Sequence, residues 1–179
     1  MARKVILFIA QTLDGYIAEK NGGIDFLIDN DFTSGDTKDR EYEKLAKRID
    51  TVVMGRKTYD QVANELSPDN YPYDDFENYI LTRHEAQDAG NIHFIQEDVS
   101  DLVEKLKNEP SKKDIWIVGG SSIIPPLIND DLIDIYQIGV IPIILGDGIP
   151  LFSNRTEFKE LNLESVKKIN GIAYLEYRK

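Results

Sequence analysis

Short apolar runs recur along the chain, and between them apolar residues return at helical spacing. Residues 5–10 (VILFIA) are continuously apolar, the pattern of a central strand covered on both faces. Residues 51–54, 79–82, 92–95 and 115–118 read the same way. Tyr42, Leu45, Ala46 and Ile49 fall at i, i+3, i+4 and i+7 with charges on the opposite side, which predicts an amphipathic helix behind a cap at Asp36 or Thr37. Tyr59, Val62, Ala63 and Leu66 repeat that spacing, and Leu102, Val103 and Leu106 give a shorter version after Ser100 and before Pro110.

Strands alternating with helices predict right-handed crossovers and a mostly parallel central sheet. The last third changes character. Residues 135–141 lead into the turn-rich Gly146-Asp147-Gly148, and residues 158–169 and 172–178 flank Asn170-Gly171. Asn-Gly suits the two positive-φ positions of a type I′ turn, so a C-terminal antiparallel β-hairpin is expected. The acidic, aromatic stretch 67–77 reads as a surface loop. A chain of 179 residues is the size of one domain, 1–179, with an ordinary core.

Charge narrows the function. Lys and Arg number 21 against 32 Asp and Glu, a net of −11, which disfavours nucleic acid and anionic lipid as partners. An anionic ligand therefore needs a local basic site. There is no cysteine, so disulfides, thiolate metal sites and a Cys nucleophile are excluded, and a reducing, cytoplasmic setting is expected. With only His84 and His93 a His-rich metal centre is excluded too. The six apolar residues after Lys4 run straight into polar sequence and read as a strand, not as a signal peptide.

Three segments end an apolar run in polar chemistry. Ile115 to Val118 is followed by Gly119-Gly120-Ser121-Ser122 and then by Ile123, Ile124, Leu127 and Ile128. Glycines there permit close approach of a diphosphate to the backbone, or simply a tight strand-to-helix turn. Pro125-Pro126 fits only the first turn of the following helix. Val52 to Met54 is followed by Gly55-Arg56-Lys57-Thr58, where Arg offers a fork, Lys a point charge and Thr58 a helix cap. Two cations at a helix start oppose its dipole, which favours an anion partner over a plain basic surface. Tyr79 to Leu81 runs into Thr82-Arg83-His84 in the same way.

GRKTY, ILTR and IWIVGGSS, in this order and at these intervals, resemble the three NADPH-binding segments of the dihydrofolate reductase superfamily. TLDGYIA (residues 12–18), residues 134–152 and the final hairpin are more similar to its riboflavin-pathway branch, the 5-amino-6-(5-phosphoribosylamino)uracil reductase domain and its stand-alone relatives. The resemblance implies a dihydrofolate reductase-like three-layer α/β/α fold and hydride transfer from NADPH to a pteridine or aminopyrimidine. It implies that Gly55, Arg56, Lys57 and Thr58 hold the 2′-phosphate side and the diphosphate. Leu81, Thr82 and Arg83 then flank the adenosine phosphate, and Gly119, Gly120, Ser121, Ser122 and Ile123 cradle the diphosphate and ribose. Ala10 and Ile17 meet the nicotinamide amide through backbone groups, and residues 13–18 form a mobile loop over the ring.

The substrate side departs from both branches. The folate enzymes carry a carboxylate on a helix after the mobile loop; here Asp25, followed by Phe26, is the candidate and Asp29 the second, while a simple helix cap at Asp25 is an equal reading. The riboflavin branch has a glutamate before its Gly-Gly pair, where this chain has Val118. The folate branch clamps a glutamate tail with an arginine between GRxT and ILTR. Between Thr58 and Thr82 this chain has no Lys or Arg and six acids, namely Asp60, Glu65, Asp69, Asp74, Asp75 and Glu77. The substrate is therefore expected to lack a charged tail there, or to bind it through Lys20, Arg40 or a partner subunit. Three readings stand at this point: an NADPH-dependent reductase, a non-catalytic NADP(H)-binding dimeric module, and a generic α/β fold with structural glycine turns. The resemblance also suggests a homodimer, with residues 138–145 as its interface if they lie on an exposed sheet edge.

Overall fold

The computed structural model describes residues 3–28, 40–153 and 155–179. Among these residues the strands are β1 (Val5–Thr12), β2 (Tyr16–Ala18), β3 (Ile49–Gly55), β4 (Glu77–Leu81), β5 (Ile92–Ile95), β6 (Asp114–Gly119), β7 (Ile135–Ile141), β8 (Ile149–Pro150), β9 (Asn162–Ile169) and β10 (Ile172–Arg178). The helices are α1 (Asp25–Ile28), α2 (Glu41–Arg48), α3 (Arg56–Gln61), α4 (Val99–Asn108) and α5 (Ile124–Asn129), with α3 continuing as a π-turn at Val62–Leu66.

An eight-stranded sheet of order β5-β4-β3-β6-β1-β7-β10-β9 holds these elements. From β5 to β7 neighbouring strands are parallel, and β10 pairs antiparallel with both β7 and β9. The two faces follow from strand alternation. Val5 and Leu7 point to a core shared with Leu102, Val103 and Leu106 of α4 and Ile124 and Leu127 of α5. Ile6, between them, points to a second core with Leu45 of α2, Met54, Ile80 and Trp116. Residues such as Ile6, Leu7 and Ile117 are wholly buried, each contributing about 1.5–3 kcal/mol of apolar burial. Helices on both faces make the three-layer α/β/α arrangement.

Several expectations shift in detail. Ile49 opens β3 instead of closing α2, whose N-cap position is Arg40 without a side-chain cap bond; Asp36 and Thr37 lie outside the described residues. Helix α4 begins at Val99, before Ser100, and Asp98 caps it, its carboxylate accepting from Ser100 N at 2.8 Å. Strand β9 starts at Asn162, and Phe158 before it is exposed. The interface suggested at residues 138–145 is overturned for its strand part. Ile138 and Ile141 lie in β7, an interior strand between β1 and β10, and are buried. The sheet edges are β5 and β9, and β9 exposes Leu163 and Val166.

The two ends of the sheet differ in charge bookkeeping. At the N-terminal edge Arg3 is buried and donates to the Asp50 carboxylate, Thr51 Oγ1 (2.6 Å), Leu106 O (3.2 Å) and Lys113 O (3.0 Å). Asp134 accepts there from Val5 N (2.9 Å) and Lys107 Nζ (3.1 Å). At the C-terminal edge the loop after β1 is held to the loop after β7. Leu13 N donates to Ile143 O (2.8 Å), Leu151 N to Gly15 O (2.9 Å), and β2 pairs with β8. A Cβ on Gly148 would lie 2.4 Å from Ala18 O, so this close approach requires glycine. Asp14 closes the join: its carboxylate accepts from Thr12 Oγ1 (2.6 Å), Leu145 N (3.1 Å) and Gly146 N (2.7 Å).

The Thr12 hydroxyl first, with the Leu145 and Gly146 amides, holds the Asp14 carboxyl down at about 2. A depressed carboxylate stabilises its loop above the ordinary value of 3.8 and loses that contribution as pH falls toward 2. Asp14→Ala is expected to speed hydrogen exchange of the Leu145 and Gly146 amides about tenfold or more while β1 core amides stay protected. Unchanged exchange at both amides contradicts the latch. At the β4–β5 edge, His93 Nε2 meets Glu77 (2.8 Å) and Nδ1 meets Asp88 (3.4 Å), and the Glu77 hydrogen bond raises the imidazole above its ordinary 6.5. The stabilisation is full below pH 6.5 and lost as pH rises through the raised value. Urea midpoints measured across that window should fall for the native chain and not for His93→Asn; an NMR titration of His93 at or below 6.5 contradicts it.

Candidate functional site

Parallel strands deliver their C-terminal ends to one edge, and the strand order decides which ends meet. β3 lies between β4 and β6, and β6 lies between β3 and β1. Gly55 pairs in register with Leu81, and Met54 with Gly119, so the three polar segments leave the sheet side by side. Crevices outside the carboxyl ends of such strands are where α/β sheets bind ligands.

Glycine makes the approach between two of these segments possible. A Cβ on Gly120 would stand 3.2 Å from Thr58 Oγ1, and one on Gly55 would stand 3.9 Å from Gly120 N and 4.0 Å from Ser122 Oγ. Gly119 has φ of +122°, and the Gly119-Gly120 peptide is cis. The floor between β3 and β6 is thus bare backbone flanked by the hydroxyls of Thr58 and Ser122. Ser121 is half-buried, Ser122 exposed and Ile123 buried at the N-cap of α5, whose Pro125 and Pro126 occupy its first turn as the spacing required. A cleft of about 540 Å³ borders the turn, lined by Ser121, Ser122, Pro126, Pro150, Ser153 and Arg155.

The cations stand around this floor. Arg56 is the first residue of α3 and Gly55 its N-cap, so Thr58 is not the cap expected from the sequence; it lies two residues inside the helix, facing Gly120. Arg56 Nε donates to Asp60 Oδ1 at 2.8 Å, and its guanidinium lies 5.2 Å from the Phe94 ring centre. Lys57 and Arg83 are exposed and form no ion pair among the described residues. Leu81 is half-buried against the larger core, and the Thr82 hydroxyl is committed to the turn after β4, accepting from His84 N at 3.2 Å.

Beyond β6, Ala10 lies near the end of β1 and Ile17 in β2, the latter packed against the larger core. Asp25 is exposed as the first residue of the four-residue α1, with Phe26 half-buried beside it. It is neither the buried carboxyl nor the residue before the helix; Ile24 O accepts from Leu27 N and Ile28 N instead. Asp29 lies outside the described residues. Lys20 is committed to an ion pair with Asp147. Reading the chain alone missed two neighbours of Arg56. Asp60 was legible as its i+4 partner, whereas Phe94 was not legible because it arrives on β5. The Gln11 Oε1 atom is buried and unpaired among the described residues.

No helix among the described residues is long and apolar enough to cross a membrane. The model of the RibD C-terminal domain family matches residues 3–172. Protein YwjB of Bacillus subtilis (strain 168) is 36% identical over 178 residues, covering 99% of this chain and 98% of that protein. Dihydrofolate reductase of Sus scrofa is 30% identical over 123 residues, 66% of this chain and 60% of that enzyme. Among solved structures, a putative riboflavin biosynthesis protein from Shewanella sp. PV-4 superimposes with a TM-score of 0.81 at 30% identity, covering 99% of this chain and 98% of that one. A deaminase/5-amino-6-(5-phosphoribosylamino)uracil reductase from Thermotoga maritima shares the fold, with a TM-score of 0.66 at 16% identity over 99% of this chain and 56% of that one. The strand order, the glycine floor and these matches lead to one conclusion: the chain belongs to the RibD C-terminal domain family and has its dihydrofolate reductase-like, reductase-type fold.

Proposed function

We propose that the chain is an NADPH-dependent reductase acting on an aminopyrimidine or pteridine that lacks an anionic tail. The observation that carries this reading is the convergence of Gly55-Arg56, Leu81-Arg83 and Gly119-Ser122 on one sheet edge around a glycine-lined floor, tightest where Gly120 faces Thr58 Oγ1. Such a floor lets a diphosphate approach backbone donors, and the exposed Lys57 and Arg83, which form no ion pair among the described residues, suit phosphate oxygens.

Bound NADPH supplies the hydride. Gly55, Arg56, Lys57 and Thr58 would hold its 2′-phosphate side and diphosphate; Leu81, Thr82 and Arg83 would flank the adenosine phosphate, with Thr82 contributing mainly its turn. Gly119, Gly120, Ser121, Ser122 and Ile123 would cradle the diphosphate and ribose. Ala10 and Ile17 would meet the nicotinamide amide, and residues 13–18 would shield the ring from water, held in place through Asp14. Asp25 is the proposed partner of the substrate's amino-nitrogen system, with Phe26 and Asp29 as its neighbours in sequence. A cytoplasmic homodimer is the proposed working form, with the exposed β9 edge, rather than β7, available for association.

The exposure of Asp25 favours, as a second reading, an NADP(H)-binding module without catalysis. NADPH oxidation, followed by the loss of reduced-nicotinamide absorbance, with a panel of aminopyrimidines, unconjugated pterins and dihydrofolate separates the two. Turnover of a tail-less substrate is expected. For dihydrofolate, a kcat/KM reaching about 10⁶ M⁻¹s⁻¹ contradicts the substrate assignment. NADPH binding without turnover of any compound replaces the reductase reading with the module.

A further inference from the structure

The pair around Arg56 carries a consequence for coenzyme choice. Asp60 and Arg56 are an i, i+4 pair at the start of α3, each side chain 41% exposed. An exposed pair of this kind contributes little to stability, and its order, cation toward the helix N-terminus, opposes the dipole. The geometry leaves the guanidinium half used. Asp60 takes the Nε edge at 2.8 Å and Phe94 lies against the group with its ring centre 5.2 Å from Cζ. Among the described residues no hydrogen bond is made by the two Nη groups, so their outer edge is the fork left for an anion.

We propose that Asp60 is a selectivity-setting residue that restrains the preference of this site for a 2′-phosphorylated coenzyme. The proposal rests on the reading that Arg56 binds the 2′-phosphate. A phosphate on the free edge of that guanidinium lies within a Debye length, about 8 Å, of the Asp60 carboxylate, so their repulsion is not screened away. The carboxylate also cancels part of the Arg56 charge. A coenzyme without the 2′-phosphate meets neither effect. Asp60 therefore narrows the affinity gap between NADPH and NADH, and Phe94 supplies the packing that keeps the fork in place without Asp60's charge.

Asp60→Asn keeps an oxygen acceptor for Nε and removes the charge. Fluorescence titrations of the intact chain with NADPH and NADH should show NADPH binding tightened about three- to tenfold in this variant, the repulsion expected for a dianion near one carboxylate in a water-like dielectric. NADH affinity and melting temperature should not change, and the salt dependence of NADPH binding should steepen. Asp60→Glu should restore native selectivity. A merely structural role would instead shift melting temperature and both coenzymes together, and that result, or unchanged or weakened NADPH binding in Asp60→Asn, overturns the proposal. Arg56→Ala tests the underlying reading separately. Selective loss of NADPH binding with a flat Asp60→Asn response rejects only the role of Asp60, whereas equal change for NADPH and NADH in Arg56→Ala rejects the phosphate role and the proposal with it.

Discussion

Strand β6 enters the sheet late in sequence and lies between β3 and β1, and this insertion governs what stands at the C-terminal edge. It brings Gly119 into register with Met54, so the Gly-Gly turn crosses beside Gly55 and Thr58. With a Cβ on Gly120 the turn would press on Thr58 Oγ1 at 3.2 Å, and that hydroxyl would have to give way by a few tenths of an ångström. The apolar cores on both faces fix the position of β6 through wholly buried Ile115 and Ile117 on one side and Trp116 on the other. Core packing, rather than any contact within the loops, is what brings the polar segments together.

Charge follows the same division. The N-terminal edge pairs its ions: Arg3 with Asp50, and Asp134 with Lys107 and Lys4. The C-terminal edge leaves Lys57 and Arg83 exposed and Arg56 only partly matched in a chain whose formal charge is −11. Cations without an ion-pair partner among the described residues raise the local potential where an anion would lie. The Asp14 carboxylate has a different task, joining the loop after β1 to the loop after β7 and thereby setting the far wall of the same edge.

Much of this was legible in the chain. Continuous apolar runs gave β1, β3, β4, β5 and β6 because strands buried on both faces need no alternation. Asn170-Gly171 marked the final hairpin, and Asn170 indeed has φ of +50°. Periodicity was blind to β2 and β8, which are three and two residues long and exist only because Gly148 admits the Ala18 carbonyl. It was equally blind to strand order, which is why residues 138–145 were an interface candidate only on condition of an exposed edge, a condition that the pairing of β10 with β7 through Val140 removes. At the site, the glycine and basic segments were visible as local patterns, while Phe94 beside Arg56 depends on the pairing of β5 with β4. The carboxylate for the substrate was the weakest inference, since a short helix with one acid at its start looks the same whether that acid faces solvent or a pocket.

If the three strand ends form a single dinucleotide cradle, amide chemical-shift mapping of the isotope-labelled chain during addition of NADPH shows saturable shifts that appear together, with one dissociation constant, at Gly55 to Thr58, Leu81 to Arg83 and Gly119 to Ile123. Shifts confined to one of these segments, or their absence at saturating coenzyme, would mean that the segments do not act as one binding surface.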